Sequence, residues 1–297
     1  MLPADAFVNT PEIHLFDNTA NVIIMDDAGE DSLTLKALLQ SGKRVSPGSF
    51  RKLGMGLGTF LASVHGWGTD DAEAREFFEG NKQGRTLSAW ATYERLVLTL
   101  SGEDAALTIL NEPPLNVDRD TLDRVAKVAL NTANAVKTES ETIVMGDFWP
   151  GNILLSLVQK EGEVEVVEIE KVLVVDWELV KPGQRGMDVG QFCGEMWQMK
   201  RFFPETEPNV MELTTAFLAT YREQSKSAQM NQVARVALTH IGAHLIAWTP
   251  RGTWRGQTIR DVVLEGVQAL LDGPEGSQEI IENSFVGELC RGTGSHG

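Results

Sequence analysis

The sequence predicts an α+β fold, on three observations. PEIHLFD (11–17) and NVIIMDDAG (21–29) read as two paired strands around an Asp17-Asn18 turn. ETIVMGDF, NILLSLVQ and EVEVVEIEKVLVVDWE form a second group of apolar strands between residues 141 and 178. Most of what lies between these groups, and almost everything after 188, has helical periodicity instead.

In chain order, Val22-Ile23-Ile24-Met25 is a short apolar run expected to be buried, ended by two aspartates and a glycine. From Leu33 the pattern turns helical. Pro47 after Ser46 marks a cap and first turn, and Leu53, Leu57, Phe60, Leu61 and Val64 then fall on one face. Gly54-x-Gly56-x-Gly58 lies inside this helix, with no strand before it and no fresh helix start after it. It is therefore read as a place of close helix packing rather than a nucleotide loop. Further helices are expected near 87–100 and 118–137, separated by SGEDAALTILNEPPLNVD, and later at 229–248 and 256–271. The acidic stretch QKEGEVEVVEIEK fits an extended hairpin with its Val/Ile residues on one face and its charges solvated. The glycine-rich end from Glu288 is expected to fray.

The chain of 297 residues carries 26 basic and 42 acidic residues, a formal charge of −16. With no Lys/Arg-rich run, nucleic acid is excluded as a partner class. No apolar stretch is long enough for a simple membrane-spanning helix, and the N-terminal MLPADAFVNTPEIHLF lacks the basic and apolar regions of a signal peptide. Cys193 and Cys290 have no metal-ligand spacing and read as reduced thiols, so the default is a soluble cytoplasmic protein.

The chemistry concentrates in 143–192. IVMGDFWPGNILL runs from an apolar strand into a loop bearing Asp147, with Asn152 five residues on and a second apolar strand behind it. VLVVDWE then delivers Asp176 to a strand end, and GMDVGQF brings Asp188. Phosphoryl transfer asks for this set: one carboxylate to orient a hydroxyl and take its proton, a second carboxylate and an amide oxygen to hold Mg²⁺ against the phosphates. Pro150-Gly151 supplies the turn that brings Asn152 back toward Asp147. Glu178 reads equally as a contact to metal or substrate or as a solvated side chain, and His65 as a packed, hydrogen-bonded core residue.

These motifs, in this order, resemble the aminoglycoside phosphotransferase and choline kinase-like superfamily. MGDFWPGNILL is similar to its H-G-D-x-x-x-x-N catalytic loop, VVDWE to its metal-binding segment, NVIIMDDAG to its hinge, LGTFLASVH to the helix before the loop and GMDVGQF to the segment beneath it. The resemblance implies a protein-kinase-like fold: a remnant of the N-terminal antiparallel sheet with the hinge (1–30), a mostly helical C-terminal lobe (31–287) and a flexible tail (288–297). It further implies ATP and Mg²⁺ as cofactors, Asp147 as catalytic base and Asn152 and Asp176 as metal ligands. Met25, Asp26 and Ala28 would meet the adenine, and Asp188 would support the loop. The substrate would be a small molecule with a hydroxyl, such as an aminoglycoside, a choline-like compound or a sugar, placed near Trp248, Arg251, Trp254 and Arg255.

Three departures qualify the match. The family's His before Gly-Asp is Met145, and the spacing from Asn152 to Asp176 is long. The 25 residues before Asp26 contain no Lys, Arg or Gly, so neither a glycine-rich phosphate loop nor its strand lysine is present there. The expectation is an N-terminally truncated kinase of weakened or lost activity, with a non-catalytic pseudokinase-type binding module as the alternative.

Overall fold

The computed structural model describes residues 6–159, 166–225, 227 and 229–291. Its strands are β1 (Val8–Asn9), β2 (Ile13–Asp17), β3 (Val22–Met25), β4 (Leu33–Thr34), β5 (Arg44–Val45), β6 (Thr142–Val144), β7 (Ile153–Gln159), β8 (Val166–Val174) and β9 (Lys181–Gly183). Its helices are α1 (Leu35–Gln40), α2 (Ser49–Asp70), α3 (Ala72–Glu79), α4 (Lys82–Ala89), α5 (Leu96–Ser101), α6 (Thr108–Asn111), α7 (Arg119–Thr138), α8 (Gly186–Phe202), α9 (Glu207–Gln224), α10 (Met230–Trp248), α11 (Thr258–Glu275) and α12 (Gln278–Glu282). The fold is α+β, with small sheets set against a mostly helical body.

The main sheet is built on the antiparallel β7–β8 hairpin, which runs from Ile153 opposite Val174 to Gln159 opposite Val167. β4 pairs with β7, while β1 and β5 both lie parallel to β8. Phe7 joins in through its carbonyl, which accepts the Val172 N–H at 3.0 Å. The segment before β2 thus belongs to the sheet of β7 and β8, whose ends carry Asn152 and Asp176. On β8, Ile169 is buried between exposed Glu168 and Glu170, and a register shift opposite Ser156 and Leu157 rephases the strand before buried Val172. The tip of the acidic insert lies outside the described residues.

β2 and β3 form the expected hairpin, and the Asp17 carboxylate accepts the Thr19 and Ala20 N–H groups in its turn. The expected burial of Val22–Met25 is corrected: Ile13, Leu15, Phe16, Val22, Ile23, Ile24 and Met25 are all exposed. The physical reason is layer count. Among the described residues the ribbon has two strands and nothing covers either face, so its apolar side chains have nowhere to be buried.

α2 packs along α9, and the glycines explain how. A Cβ on Gly54 would sit 2.3 Å from the Leu213 carbonyl oxygen, and one on Gly58 2.6 Å from that of Phe217. The backbones touch where only hydrogen fits. The helix begins at Ser49 after Gly48, so Pro47 precedes it rather than occupying its first turn. α10 is buried on nearly every side, between α8 and α11, and reads accordingly as an almost continuous apolar helix. No described helix is long and apolar enough to cross a membrane. At the C-terminal end a 3₁₀ turn at Gly287–Cys290 buries Leu289 and Cys290, so the chain is still packed just past Glu288, where fraying was expected to begin. Residues 292–297 lie outside the described residues.

Candidate active site

β6 ends at Val144, and the chain leaves it through buried Met145 and through Gly146, whose φ of +80° is the left-handed conformation that glycine adopts without strain. This turn points Asp147 out of the core. Phe148, fully buried, anchors the loop against Phe60, Phe192 and Phe217. A single 3₁₀ turn, Pro150–Asn152, then folds the chain back, and the Asn152 side-chain amide donates to the Asp147 carbonyl at 3.1 Å and to its carboxylate at 2.9 Å. The other Asp147 oxygen accepts from the Gln191 amide at 2.6 Å. Burial pushes the Asp147 carboxyl above its ordinary value, and the charge of Asp176 adds to this, while Gln191 and Asn152 oppose it.

Asp176 follows β8 by two residues. It is exposed and has φ +67°, the left-handed conformation that Asp adopts more readily than most side-chain-bearing residues. The preceding Val175 N–H donates to the Asn152 carbonyl at 3.0 Å, which fastens the Asp176 strand end to the Asp147–Asn152 loop. On the far side the Asn81 amide donates to the carbonyls of Glu178 (2.9 Å) and Val180 (2.8 Å), closing the turn after the D-W-E segment. Glu178 itself is exposed.

Asp188 is completely buried in the first turn of α8 and accepts the N–H groups of Met145 and Gly146, each at 2.8 Å. His65 of α2, equally buried, meets the same carboxylate at 3.1 Å and the Tyr221 hydroxyl at 2.7 Å. Burial alone would raise the Asp188 pKa; the bonds from His65 and the two backbone amides outweigh it and hold the pKa below the usual carboxylate value. One carboxylate thus links α2, α8, α9 and the loop that carries Asp147.

The hinge residues divide. The Asp26 N–H donates to the Glu12 carbonyl, and its carboxylate takes the Glu12 N–H and the His14 ring, so both serve the β2–β3 ribbon. Met25 is exposed on that ribbon. Ala28 is buried, and its carbonyl accepts from the Ser156 hydroxyl at 2.7 Å, which ties the hinge segment to β7.

Beside Asp147 opens a cleft of about 240 Å³. Its walls are Leu87, Trp90, Tyr93, Leu179, Met187 and Trp248, with Ser88, Lys181 and Gln191 as polar members. The helix expected at 87–100 is interrupted here by a π-helical turn, Trp90–Glu94, which puts four consecutive residues, Trp90 to Tyr93, on the cleft wall. Arg95 braces the two tryptophans, its guanidinium 5.6 Å from the Trp90 ring and 4.6 Å from that of Trp248. The Tyr93 hydroxyl is bonded to His240, whose pKa burial, with His244 adding to it, pushes down to about 3, so this pair is neutral. The Ser88 hydroxyl is buried with no partner among the described residues. A larger groove of about 370 Å³, between α7, α10 and α11, contains none of the chemistry-bearing residues.

The group expected around the substrate therefore splits. Trp248 lines the cleft, whereas Trp254 is buried, stacked on Phe202 at 4.5 Å and bonded to Gln198. Arg251 is paired with Asp104. Gln191, Lys181 and Trp90 were not singled out from sequence. Gln191 had a signal, since it lies three residues after Asp188 on the same helical face. Lys181 had none beyond being a lone cation in an apolar stretch.

Among the described residues no group of three or more His, Cys, Asp or Glu could hold a metal. The available donors are two carboxylates and one amide oxygen. With its N–H turned to Asp147, the Asn152 side chain keeps its oxygen for a cation, and the exposed Asp176 has room for one. Such a sparse, all-oxygen set fits Mg²⁺, which keeps waters and takes phosphate oxygens as its other ligands.

The fold is of the kinase-like class. No family model matches the chain. It is 32% identical over 272 residues to the 4-hydroxytryptamine kinase of Psilocybe cubensis, covering 90% of this chain and 68% of that one. To the 4-hydroxytryptamine kinase of Psilocybe cyanescens it is 31% identical over 278 residues, covering 92% and 69%. The chain belongs to the same family of small-molecule kinases as these two proteins. Among solved structures, an ethanolamine kinase of Plasmodium vivax aligns over 91% of this chain and 68% of its own, with 16% identity and a TM-score of 0.47. A choline/ethanolamine kinase family protein of Mesorhizobium loti aligns over 95% and 77%, with 13% identity and a TM-score of 0.36.

Proposed function

We propose that this protein transfers the γ-phosphoryl group of ATP to the hydroxyl of a small aromatic molecule, with Asp147 as the base. The observation that carries this reading is the position of Asp147: its carboxylate, held by Asn152 and Gln191, lies at the edge of a cleft walled by Trp90, Tyr93 and Trp248. Such walls suit a flat apolar ring better than a polyhydroxylated sugar or an aminoglycoside, whose many polar groups would be left without partners. The names of the two fungal relatives, kinases of a hydroxylated indole amine, point to the same class of acceptor.

In the reaction the acceptor oxygen attacks the γ-phosphorus as the bond from that phosphorus to the β–γ bridging oxygen breaks. ADP leaves with the electron pair, and the acceptor proton goes to Asp147. Asp188 holds the N–H groups of Met145 and Gly146 and so keeps the base in place, while Asn152 and Asp176 would hold Mg²⁺. The ion, when bound, supplies positive charge at the phosphate oxygens, where most of the catalysis of such transfers resides. Ala28 remains the hinge residue suited to adenine, because its N–H is unengaged among the described residues.

ADP release measured with the 297-residue chain, Mg-ATP and a panel of hydroxyindole amines, phenols, choline and sugars tests the reading. Turnover confined to aryl hydroxyls is expected. Turnover with choline or sugars alone would overturn the substrate class, and no turnover with any acceptor would leave the non-catalytic binding module in its place.

A further inference from the structure

Lys181 stands in an unusual place for a lysine. It is 1% exposed, at the start of β9, and its ammonium donates one hydrogen bond, to the Leu179 carbonyl at 3.0 Å. Among the described residues it forms no ion pair. The charges nearby are Asp188 and Asp147, which favour the ammonium, and Arg85, which opposes it. Neither acid is bonded to it. The Asp188 oxygens are taken by Met145, Gly146 and His65, and those of Asp147 by Asn152 and Gln191. Burial of an ammonium with open donors is costly, and burial holds this pKa down to about 8.

The geometry places the ammonium against the loop that carries Asp147. A Cβ on Gly146 would lie 2.2 Å from the Lys181 nitrogen, so the ammonium reaches the backbone immediately before Asp147 through the space that glycine leaves. Lys181 and Asp147 line the same aromatic cleft. An acceptor that meets Asp147 in that cleft therefore shares the cleft with the ammonium.

We propose that Lys181 is a further catalytic residue, whose ammonium donates to the acceptor oxygen and thereby selects an aryl hydroxyl over an alkyl one. This rests on the phosphotransferase reading above and extends it to the choice of hydroxyl. An aryl oxygen can carry most of a negative charge once Asp147 draws off its proton, and a fixed ammonium in a water-poor cleft stabilises that charge. In a loose transition state the nucleophile forms little bond to phosphorus. The oxygen therefore gains more from easier deprotonation than it loses in nucleophilicity. Lys181 transfers no proton; the acceptor proton still goes to Asp147 and ADP still leaves with the bridging pair.

The test uses 4-nitrophenol, whose ionised form is read by its own absorbance, with the full chain, K181M and K181R, and no nucleotide. The wild type is expected to hold about tenfold more of the bound phenol as phenolate than free solution does at the same pH, equivalent to about 1.4 kcal/mol. K181M should abolish that excess and K181R keep part of it, with thermal melts establishing that each variant is folded. A parallel assay with Mg-ATP should show K181M losing kcat for aryl acceptors far more than it changes KM. Equal phenolate fractions in wild type and K181M, or no binding of the phenol, overturn the proposal. A wild type that ionises the phenol through Lys181 but never consumes ATP keeps the contact to the aryl oxygen and overturns the phosphotransferase reading, and with it the catalytic role of that contact.

Discussion

Buried charge sets the character of the site at the scale of single residues. Lys181 carries an ammonium where an apolar side chain would pack at no electrostatic cost, and its pKa lies at about 8 rather than the ordinary 10.5. Between those two values the unfolded chain holds the proton and the folded one has released it. Protein stability should therefore rise as pH climbs from about 8 to about 10.5, and be lowest on this account below that window. In K181M the rise should vanish, and the variant should be more stable than wild type at pH 7, by on the order of 1–3 kcal/mol. Thermal melts from pH 7 to 10.5 check both; a K181M protein less stable than wild type at pH 7 would mean that the lysine is structural. Asp147 and Asn152 were legible in the sequence because their relation is local, one turn of loop apart. Gln191 was signalled only by its spacing from Asp188 on one helix, whereas Lys181 reaches the site through tertiary packing of β9, which no spacing encodes.

Elements meet most closely along α2 and α9. Gly54 and Gly58 lie in a helix, where glycine is normally unfavourable by about 1 kcal/mol against alanine. Here that ordering should reverse, because the added Cβ would fall 2.3 Å and 2.6 Å from backbone oxygens of the facing helix. G54A is expected to lower stability by about 2–3 kcal/mol or more, since backbone cannot step aside as a side chain can. Chemical denaturation measures this, and an alanine that stabilises would contradict the packing. The glycine triplet was readable as packing because it sat in an uninterrupted helical pattern. Two other elements were not readable in full. The π-helical turn at Trp90–Glu94 adds a residue to a helix without changing its composition, and its purpose is visible only in the cleft wall it builds. The ribbon of β2 and β3 has the alternation and apolar content of a buried strand pair, yet burial depends on a covering layer that lies elsewhere in the molecule.

For the whole molecule the decisive arrangement is the Asp188 hub, which joins α2 through His65, α9 through Tyr221 and the catalytic loop through two backbone amides. Its carboxyl pKa is depressed, so the stability it confers is complete above the ordinary value of 3.8 and lost as pH falls below it. D188A should lose about 3–5 kcal/mol, the magnitude of breaking a buried charge from its partners, and should unfold with little further sensitivity to acid. Unchanged denaturation of D188A would remove the hub. With that frame in place, Asp147 is fixed beside the cleft, and the central claim is that it accepts the proton of a hydroxyl that is being phosphorylated. Phosphorus NMR of Mg-ATP with 4-hydroxytryptamine, comparing the wild-type chain with D147N, tests it most directly. The account predicts a growing phosphomonoester resonance matched by ADP in the wild type, slowed about 10²–10⁴-fold in D147N. Equal rates of phosphomonoester formation in the two proteins, or ADP appearing without any phosphomonoester, would contradict it.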